Sequence, residues 1–257
     1  MNSVDLNCDM GEAYGQWPMG NDRELMPLIS SANIACGFHA GDPTTMRKTV
    51  ELALEHGVSV GAHPGYPDLL GFGRRKMEMK SDEVFDLVQY QVGALKGICE
   101  SSGGKLHHVK PHGALYNQAA SDRDLAHAIA AAVRDLDPDL ILYGLSGSFL
   151  VSEAHQAGLR TASEAFADRT YQGDGSLTPR SKPHATIEDA TVAARQAVTM
   201  VSDGIVRANN GTRVNIQADT ICIHGDGPNA VNFARSINEA FRLRGIKIVA
   251  PFSSDAE

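Results

Sequence analysis

Short apolar segments of this sequence end in side chains that can hold charge or move protons. In the first, VDLNCDMGE (residues 4–12), Asp5, Asn7 and Asp9 alternate with apolar residues. Successive side chains of a β-strand point to opposite faces, so these two acids and the amide share one face. Carboxylates and amides on one face can act as general bases or bind cations.

The same alternation recurs in five later segments. Each has an aliphatic face and a small or polar face that ends in an ionisable residue. The polar faces carry Asn33, Ala35, Gly37 and His39; Ser59, Gly61 and His63; His108, Lys110 and His112; Ala162 and Glu164; and Thr220, Cys222, His224 and Asp226. Buried charges are costly unless they are paired, so their convergence predicts a functional site.

The elements that must position these groups alternate between strand and helix patterns. Helix boundaries are readable at Asp42-Pro43, which predicts an N-cap and a first-turn proline, and at Ser121, which predicts another helix start. The least patterned stretch, 204–218, is predicted to be a loop. The predicted strands are 4–9, 31–37, 58–63, 106–111, 139–144, 160–165 and 220–224, with a weaker eighth at 246–250.

Repeated β-α units require parallel strands joined by right-handed crossovers, in either an open sheet or a closed barrel. An open doubly wound sheet buries both faces under helices and does not suit a polar strand face. A barrel does, because the inner faces converge and active sites form at the carboxyl ends of the strands. We therefore predict an α/β fold, a seven-stranded TIM-like (β/α) barrel, as a single domain over 1–257.

Composition excludes several classes of partner and location. The net charge is −8 and no basic cluster is longer than three residues, which argues against nucleic acid and anionic membranes. The start of the chain has no signal-peptide pattern, no apolar run suits a membrane span, and the four cysteines are widely spaced. These features predict a cytoplasmic protein with reduced thiols. Walker A and GxGxxG motifs are absent, so no standard P-loop or Rossmann site is predicted.

Six strings resemble one known family in their order and spacing. The strings DLNCDMGE, ANIACGFHAGDP, GAHPGYPDLLGFGRR, VKPHGALYN, EAFADRTY and CIHGD are similar to those of the LamB/YcsF family, over about residues 3–252. The resemblance implies a barrel of the glycoside hydrolase and deacetylase type. It also implies ATP-dependent opening of the lactam 5-oxoproline to L-glutamate, together with subunits B and C of a 5-oxoprolinase. ATP with Mg²⁺ is then the expected co-substrate, without an organic prosthetic group; a homo-oligomer stays open.

That activity needs a cation near the phosphoryl group, a base for water and an acid for the departing nitrogen. Lys110 is the predicted phosphate or oxyanion partner. Asp5 or Glu164 is the predicted base, oriented by Asn7. Proton transfer is assigned to one of three histidines, His63, His112 or His224.

Binding groups are predicted around these catalytic residues. Arg169, or Arg74 with its neighbour Arg75, can clamp a carboxylate or phosphates. Glu12 and Asp226 can hold Mg²⁺ with ATP, and His39 is a further predicted binding residue.

Two other functions are compatible with the residues. One is a metal-dependent carbohydrate deacetylase, which an Asp with several His residues favours. The absence of HxxxH spacing and the expected repulsion of a divalent ion by Lys110 argue against it. The other is a non-catalytic lactam-binding subunit whose partners transfer the phosphoryl group, which the lack of an ATP motif favours.

Overall fold

In the computed structural model, residues 3–225, 227 and 229–253 are described, and strands alternate with helices along them. The strands are β1 (Ser3–Met10), β2 (Ser31–Ala35), β3 (Ser59–His63), β4 (Leu106–Val109), β5 (Ile141–Leu145), β6 (Arg160–Phe166), β7 (Ile205–Arg207), β8 (Arg213–Asn215), β9 (Thr220–Ile223) and β10 (Lys247–Ile248). The helices are α1 (Asp22–Leu25), α2 (Pro43–Glu55), α3 (Ser81–Ser101), α4 (Gly113–Ser121), α5 (Arg123–Leu136), α6 (Phe149–Gln156), α7 (Ala190–Asp203) and α8 (Ala230–Leu243).

Seven parallel strands close into a barrel in the order β1-β2-β3-β4-β5-β6-β9, with β9 pairing back onto β1. Asn7 shows the closure, because it is in register with Ser31 of β2 on one side and Cys222 of β9 on the other. The short β10 extends the sheet by pairing with Ser3 and Val4. The predicted seven-stranded (β/α) barrel is confirmed.

The core lies mainly between the barrel and its helices. The aliphatic strand faces, such as Leu6, Ile34 and Val109, are fully buried and pack in one large cluster with the inner helix faces. Inside the barrel, a small separate cluster of Ile141, Tyr143 and Ala162 fills the end at which the strands begin. The polar faces line the interior at the carboxyl ends of the strands, as the alternation predicts.

Helix starts agree with the sequence at one site and differ at another. The Asp42 side chain accepts hydrogen bonds from the backbone N–H groups of Thr44 and Thr45, so the predicted N-cap is confirmed. Ser121 is instead the last residue of α4, and Asp122 caps α5 by accepting from the N–H of Leu125. A carboxylate caps at least as well as a hydroxyl, and the adjacent Asp takes the position.

The prediction of a loop over 204–218 is wrong in part. Strands β7 and β8 form an antiparallel hairpin within it. The connection contains Asn210-Gly211, and Gly211 has a positive φ of 86°. The N–H of Gly211 closes the turn by donating to the carbonyl of Ala208, and glycine adopts the left-handed conformation found there at no steric cost.

Two further observations concern the environment of the chain. The cysteines Cys8, Cys36, Cys99 and Cys222 are free and buried, as predicted from their spacing. Among the described residues, no helix is both long enough and apolar enough to cross a membrane.

Candidate active site

Asp5 forms the deepest polar layer of the barrel. Its carboxylate accepts hydrogen bonds from the hydroxyls of Ser30 (2.6 Å), Ser31 (2.8 Å) and Thr220 (2.6 Å). Burial raises the pKa of Asp5, and these hydroxyls oppose the rise. Both carboxylate oxygens are engaged by the protein itself, so Asp5 is a supporting group for the layer above it.

Asn7 organises the next layer. Its amide nitrogen donates to Glu164 Oε1 (2.9 Å) and to Thr220 Oγ1 (2.6 Å). Its amide oxygen accepts from Asn33 Nδ2 (2.8 Å), whose own oxygen lies 2.8 Å from Nε2 of His108. Asp5 and Asn7 are both buried, at 1% and 0% exposure.

Lys110 carries a buried ammonium group at the centre of the barrel mouth. Its Nζ lies 2.9 Å from Asp9 Oδ1, 2.9 Å from Glu164 Oε1 and 3.1 Å from Asn7 Oδ1. Burial opposes the charged form, but the two carboxylates raise the pKa of Lys110 well above its usual value. The protonated amine is therefore the stable form, and with Cys222 Sγ at 3.0 Å as a further contact it is a fixed positive charge at the mouth.

Three rings and a carboxylate form a second group beside Lys110. Nε2 of His63 lies 3.3 Å from Asp9 Oδ2 and 2.9 Å from Nδ1 of His112. The rings of His39 and His112 stack with centroids 3.7 Å apart. Burial works against ionisation of Asp9, yet the neighbouring His63 and Lys110 hold its pKa well below the usual range.

Glu12 faces this group from the loop after β1. Its Oε1 lies 3.7 Å from Nε2 of His39 and 3.9 Å from Nδ1 of His112. Glu12, His39, His63 and His112 offer ligand atoms that all lie within 4.8 Å of one another. They come from the carboxyl ends of four consecutive strands, so the spacing of HxxxH motifs is no guide to them.

Two acidic groups on the other side of the mouth have an unpaired oxygen. Glu164 Oε2 and Asp168 Oδ1 have no hydrogen-bond partner in the described part of the chain. The other oxygen of Asp168 lies 2.7 Å from Nδ1 of His224. Burial opposes the ionisation of Asp168, but His224 lowers its pKa.

Sequence reasoning missed two residues of this side. The first is Asp168, which pairs with His224. The second is Tyr116, where burial and the neighbouring Glu164 raise the pKa of the phenol well above its usual value. Asp168 lies two residues beyond the end of β6, so the strand-end pattern that found Glu164 could have included it. Tyr116 lies on helix α4, where no strand alternation applies.

Three further predicted binding residues differ from one another in their surroundings. The Arg169 guanidinium donates to the backbone carbonyls of Ala185 (3.2 Å) and Thr178 (2.6 Å), and burial lowers its pKa to about 10. Arg74 is exposed, with its guanidinium 4.8 Å from the centre of the Phe72 ring. Asp226 lies outside the described residues. The proposed ligand roles of these three stay predictions.

The assembled groups lie at the carboxyl ends of the strands and are nearly closed off from solvent. Asp9, Glu12, His63, Lys110 and Glu164 are each 7% exposed or less. Charges held in a water-poor environment interact strongly with a bound substrate. The arrangement combines a fixed cation, a carboxylate with an unpaired oxygen and an Asp–His pair, which suits proton transfer and oxyanion stabilisation.

Sequence comparisons identify close relatives across almost the whole chain. Residues 4–256 match the model of the LamB/YcsF family. The A subunit of 5-oxoprolinase from Bordetella parapertussis is 60% identical over 248 residues, which cover 96% of this chain and 98% of the relative. That of Tolumonas auensis is 58% identical over 250 residues, with 97% and 100% covered.

Structural comparisons agree with the barrel. The crystal structure of a lactam utilization protein from Thermus thermophilus has a TM-score of 0.92 and 51% identity, covering 96% of this chain and 99% of that one. A putative cellobiose-phosphate cleavage protein from Enterococcus faecalis shares the fold at a TM-score of 0.54 and 13% identity, with 97% of each chain covered.

Proposed function

We propose, from the premise that this chain belongs to the LamB/YcsF family, that it is the A subunit of a 5-oxoprolinase. The proposed reaction is ATP-dependent hydrolysis of 5-oxoproline to L-glutamate, in the cytoplasm and together with subunits B and C. The names of the curated relatives at 56–60% identity support the assignment. The name of the Thermus protein, which refers to lactam utilization, is in agreement.

A five-membered lactam is a stable amide, so its carbonyl must be activated before water can attack. In the proposed path the γ-phosphoryl group of ATP moves to the lactam oxygen and ADP leaves. Water then adds to the ring carbon, the C–N bond breaks as the nitrogen takes up a proton, and a second water releases phosphate. Negative charge is carried by the transferred phosphoryl oxygens, and a preorganised cation beside them stabilises it, while electron density moves onto the ring nitrogen as water adds.

The observation that carries the proposal is the Lys110 ammonium, held between Asp9 and Glu164 at the centre of the mouth. Its position is fixed before substrate arrives, so little reorganisation is needed when charge develops. We assign it to the phosphorylated lactam oxygen. This role agrees with its prediction as the phosphate or oxyanion partner.

Glu164 and the Asp168–His224 pair supply the proposed proton transfers. Oε1 of Glu164 is held by Asn7 and Lys110, while its Oε2 is without a hydrogen-bond partner among the described residues. We assign Oε2 as the base for water. His224, oriented by Asp168 at 2.7 Å, is the assigned acid for the departing nitrogen.

The test is a reconstituted assay with all three subunits that measures glutamate release and ADP formation. Lys110→Met removes the cation and keeps much of the side-chain volume, and it should lower kcat by about 100-fold or more. The matched control is Lys105→Met, four residues after the end of α3, whose side chain is 75% exposed. The control should keep wild-type activity.

Full activity of Lys110→Met would remove this lysine from the chemistry. If the isolated chain binds 5-oxoproline and Lys110→Met weakens that binding without changing kcat in the complex, the chain is a lactam-binding subunit and its catalytic role is wrong. Glu164→Gln serves as the second variant, because the change keeps the shape of the side chain and removes the basic oxygen.

A further inference from the structure

A buried group of Glu12, His39, His63 and His112 lies beside the Lys110 centre and has no role in the steps assigned above. We call it the histidine cluster. Glu12, His39 and His112 follow β1, β2 and β4, His63 is the last residue of β3, and all four are buried. The donor atoms are Glu12 Oε1, Nε2 of His39, Nε2 of His63 and Nδ1 of His112.

Two rings of the cluster are fixed with their lone pairs facing each other. Nδ1 of His63 lies 2.7 Å from the carbonyl oxygen of Lys110, so this nitrogen carries the proton and donates. Nε2 of His112 donates likewise to the carbonyl oxygen of Phe72, at 2.8 Å. In the neutral rings the remaining nitrogens are both acceptors, yet they lie 2.9 Å apart. A positive charge must therefore lie between them: either a proton on Nε2 of His63, which also faces Asp9 Oδ2 at 3.3 Å, or a metal ion.

The third ring, that of His39, is held without a hydrogen bond. His39 is 1% exposed, and neither of its ring nitrogens has a hydrogen-bond partner among the described residues. A buried polar atom without a partner costs free energy and calls for an explanation. A bound ion would give the His39 ring the partner that it lacks among the described residues.

The charges around the cluster leave room for a cation. Asp9, Glu12 and Glu164 are buried at the mouth, and Lys110 is the buried lysine among the described residues. Arg74 acts on His39 and His112 from an exposed loop. A divalent ion in the cluster would add positive charge beside these buried carboxylates.

We propose that the histidine cluster binds one divalent transition-metal ion, with Zn²⁺ as the representative case. Three imidazoles and one carboxylate suit Zn²⁺, Co²⁺ or Ni²⁺, whereas Mg²⁺ prefers oxygen ligands and waters. The backbone carbonyls that accept from His63 and His112 are the supporting contacts that metal-binding histidines usually have. The cluster thus differs from the magnesium site predicted with Glu12 and Asp226.

Two features of the geometry define what must move on binding. His39 and His112 stack in parallel planes, so the His39 ring has to turn before both can direct lone pairs at one ion. His39 loses no hydrogen bond in doing so. The 2.9 Å between His63 and His112 has to widen by a few tenths of an ångström, because ligands of one Zn²⁺ at about 2.0 Å sit farther apart than that.

Lys110 does not exclude the ion. Its Nζ contacts Oδ1 of Asp9, while the opposite oxygen of that carboxylate faces Nε2 of His63. The Asp9 carboxylate therefore lies between the ammonium and the cluster and screens one charge from the other. The second group with metal-binding residue types, Asp9, Cys222 and His224, is less suitable, since the Cys222 sulfur already contacts the Lys110 ammonium at 3.0 Å.

The experiment is a calorimetric titration of Zn²⁺ into the metal-free full chain, with the visible spectrum of Co²⁺ as a second probe. One ion per chain should bind. His39→Ala and Glu12→Gln should each weaken binding by at least about 100-fold, because removing a ligand lowers the metal affinity more than removing a supporting contact does. The matched control is His127→Ala, because His127 is 65% exposed on α5, outside the cluster.

The absence of Zn²⁺ and Co²⁺ binding to the wild-type chain would overturn the proposal and leave a shared proton between His63 and His112. Binding that persists unchanged in both cluster variants would overturn it as well. Circular dichroism shows whether each variant is folded, and the wild-type titration decides the question if one is not. The measurement needs neither ATP nor lactam, so its failure is separate from a failure of the proposed function.

Discussion

At the residue scale, the interior is a chain of side chains that satisfy one another. Asn7 connects Glu164 to Asn33, and Asn33 connects in turn to Asp9. A buried polar atom that loses its hydrogen-bond partner in such a network costs free energy, so the residues act as a unit. Substitution of one member is expected to disturb its neighbours, and single-residue effects here will not be additive.

The pH dependence of the unfolding free energy tests the part that His108 plays in this network. Its ring stacks on Tyr143 at 4.2 Å, and burial lowers its pKa well below the usual value. Below about pH 6.5 the unfolded chain takes up a proton at this histidine that the folded chain refuses. The contribution of the neutral His108 ring to the free energy of unfolding is therefore fully present above that pH and is lost as the pH falls.

We expect His108→Gln to flatten the pH dependence of the unfolding free energy between about pH 5 and 6.5, by up to about 1.4 kcal/mol per pH unit. Urea unfolding at a series of pH values measures it. His184→Gln, at an exposed site outside this network, is the control and should keep the wild-type slope. An unchanged slope in His108→Gln would mean that His108 is protonated in the fold.

At the element scale, the sequence predicted the barrel strands more reliably than the helix starts and the β7–β8 hairpin. The polar alternation of β1, β4 and β6 placed the interior groups before any contact was known. Helix starts were less certain, because Ser121 and Asp122 are adjacent cap residues and only packing selects between them. The β7–β8 hairpin was missed because each of its strands has three residues, too short for a period-2 pattern.

Gly61 of β3 shows how one strand makes space for another. A side-chain carbon at this position would overlap the imidazole of His108, which crosses the interior to reach Asn33. The ring is rigid and held on both sides, so it cannot move away cheaply. The absence of a Cβ at Gly61 is therefore a requirement of the polar layer.

We predict that Gly61→Ala lowers the free energy of unfolding by about 1–3 kcal/mol through overpacking. Thermal and urea unfolding measure the change. The matched control is Gly97→Ala in α3, where a Cβ would have no heavy atom within 4 Å and should stabilise the helix by up to about 1 kcal/mol. Equal stability of Gly61→Ala and wild type would show that His108 can leave its position.

At the scale of the whole molecule, the two ends of the described chain meet at the amino-terminal side of the barrel. The backbone N–H of Val249 donates to the carbonyl of Val4, at 3.0 Å. Nε2 of His107 lies 2.9 Å from the carbonyl oxygen of Pro251, and Arg160 lies over the Phe252 ring. The segment 247–253 thus connects β1, β4 and β6 beneath the barrel.

Deletion of all residues after Ile246 should therefore lower the free energy of unfolding by about 2–3 kcal/mol, from roughly 1 kcal/mol for each lost contact. A urea unfolding curve gives the value. A shorter deletion, after Ser253, is the control and should behave as the full chain. A long deletion without effect would mean that the barrel is closed sufficiently by the pairing of β1 with β9 alone.

The sequence by itself determined the barrel and the inward direction of Asp5, Asn7, Lys110 and Glu164, because a period of two fixes the face of every strand residue. Only the tertiary structure decided which of these groups meet. Arg169 donates to backbone carbonyls, because it lies on a loop where no periodicity applies. Asp168 continues the parity of β6, but its pairing with His224 depends on the closure that brings β6 beside β9. The histidine cluster is likewise a product of closure, because its members are far apart along the chain and become neighbours only when four strands pair.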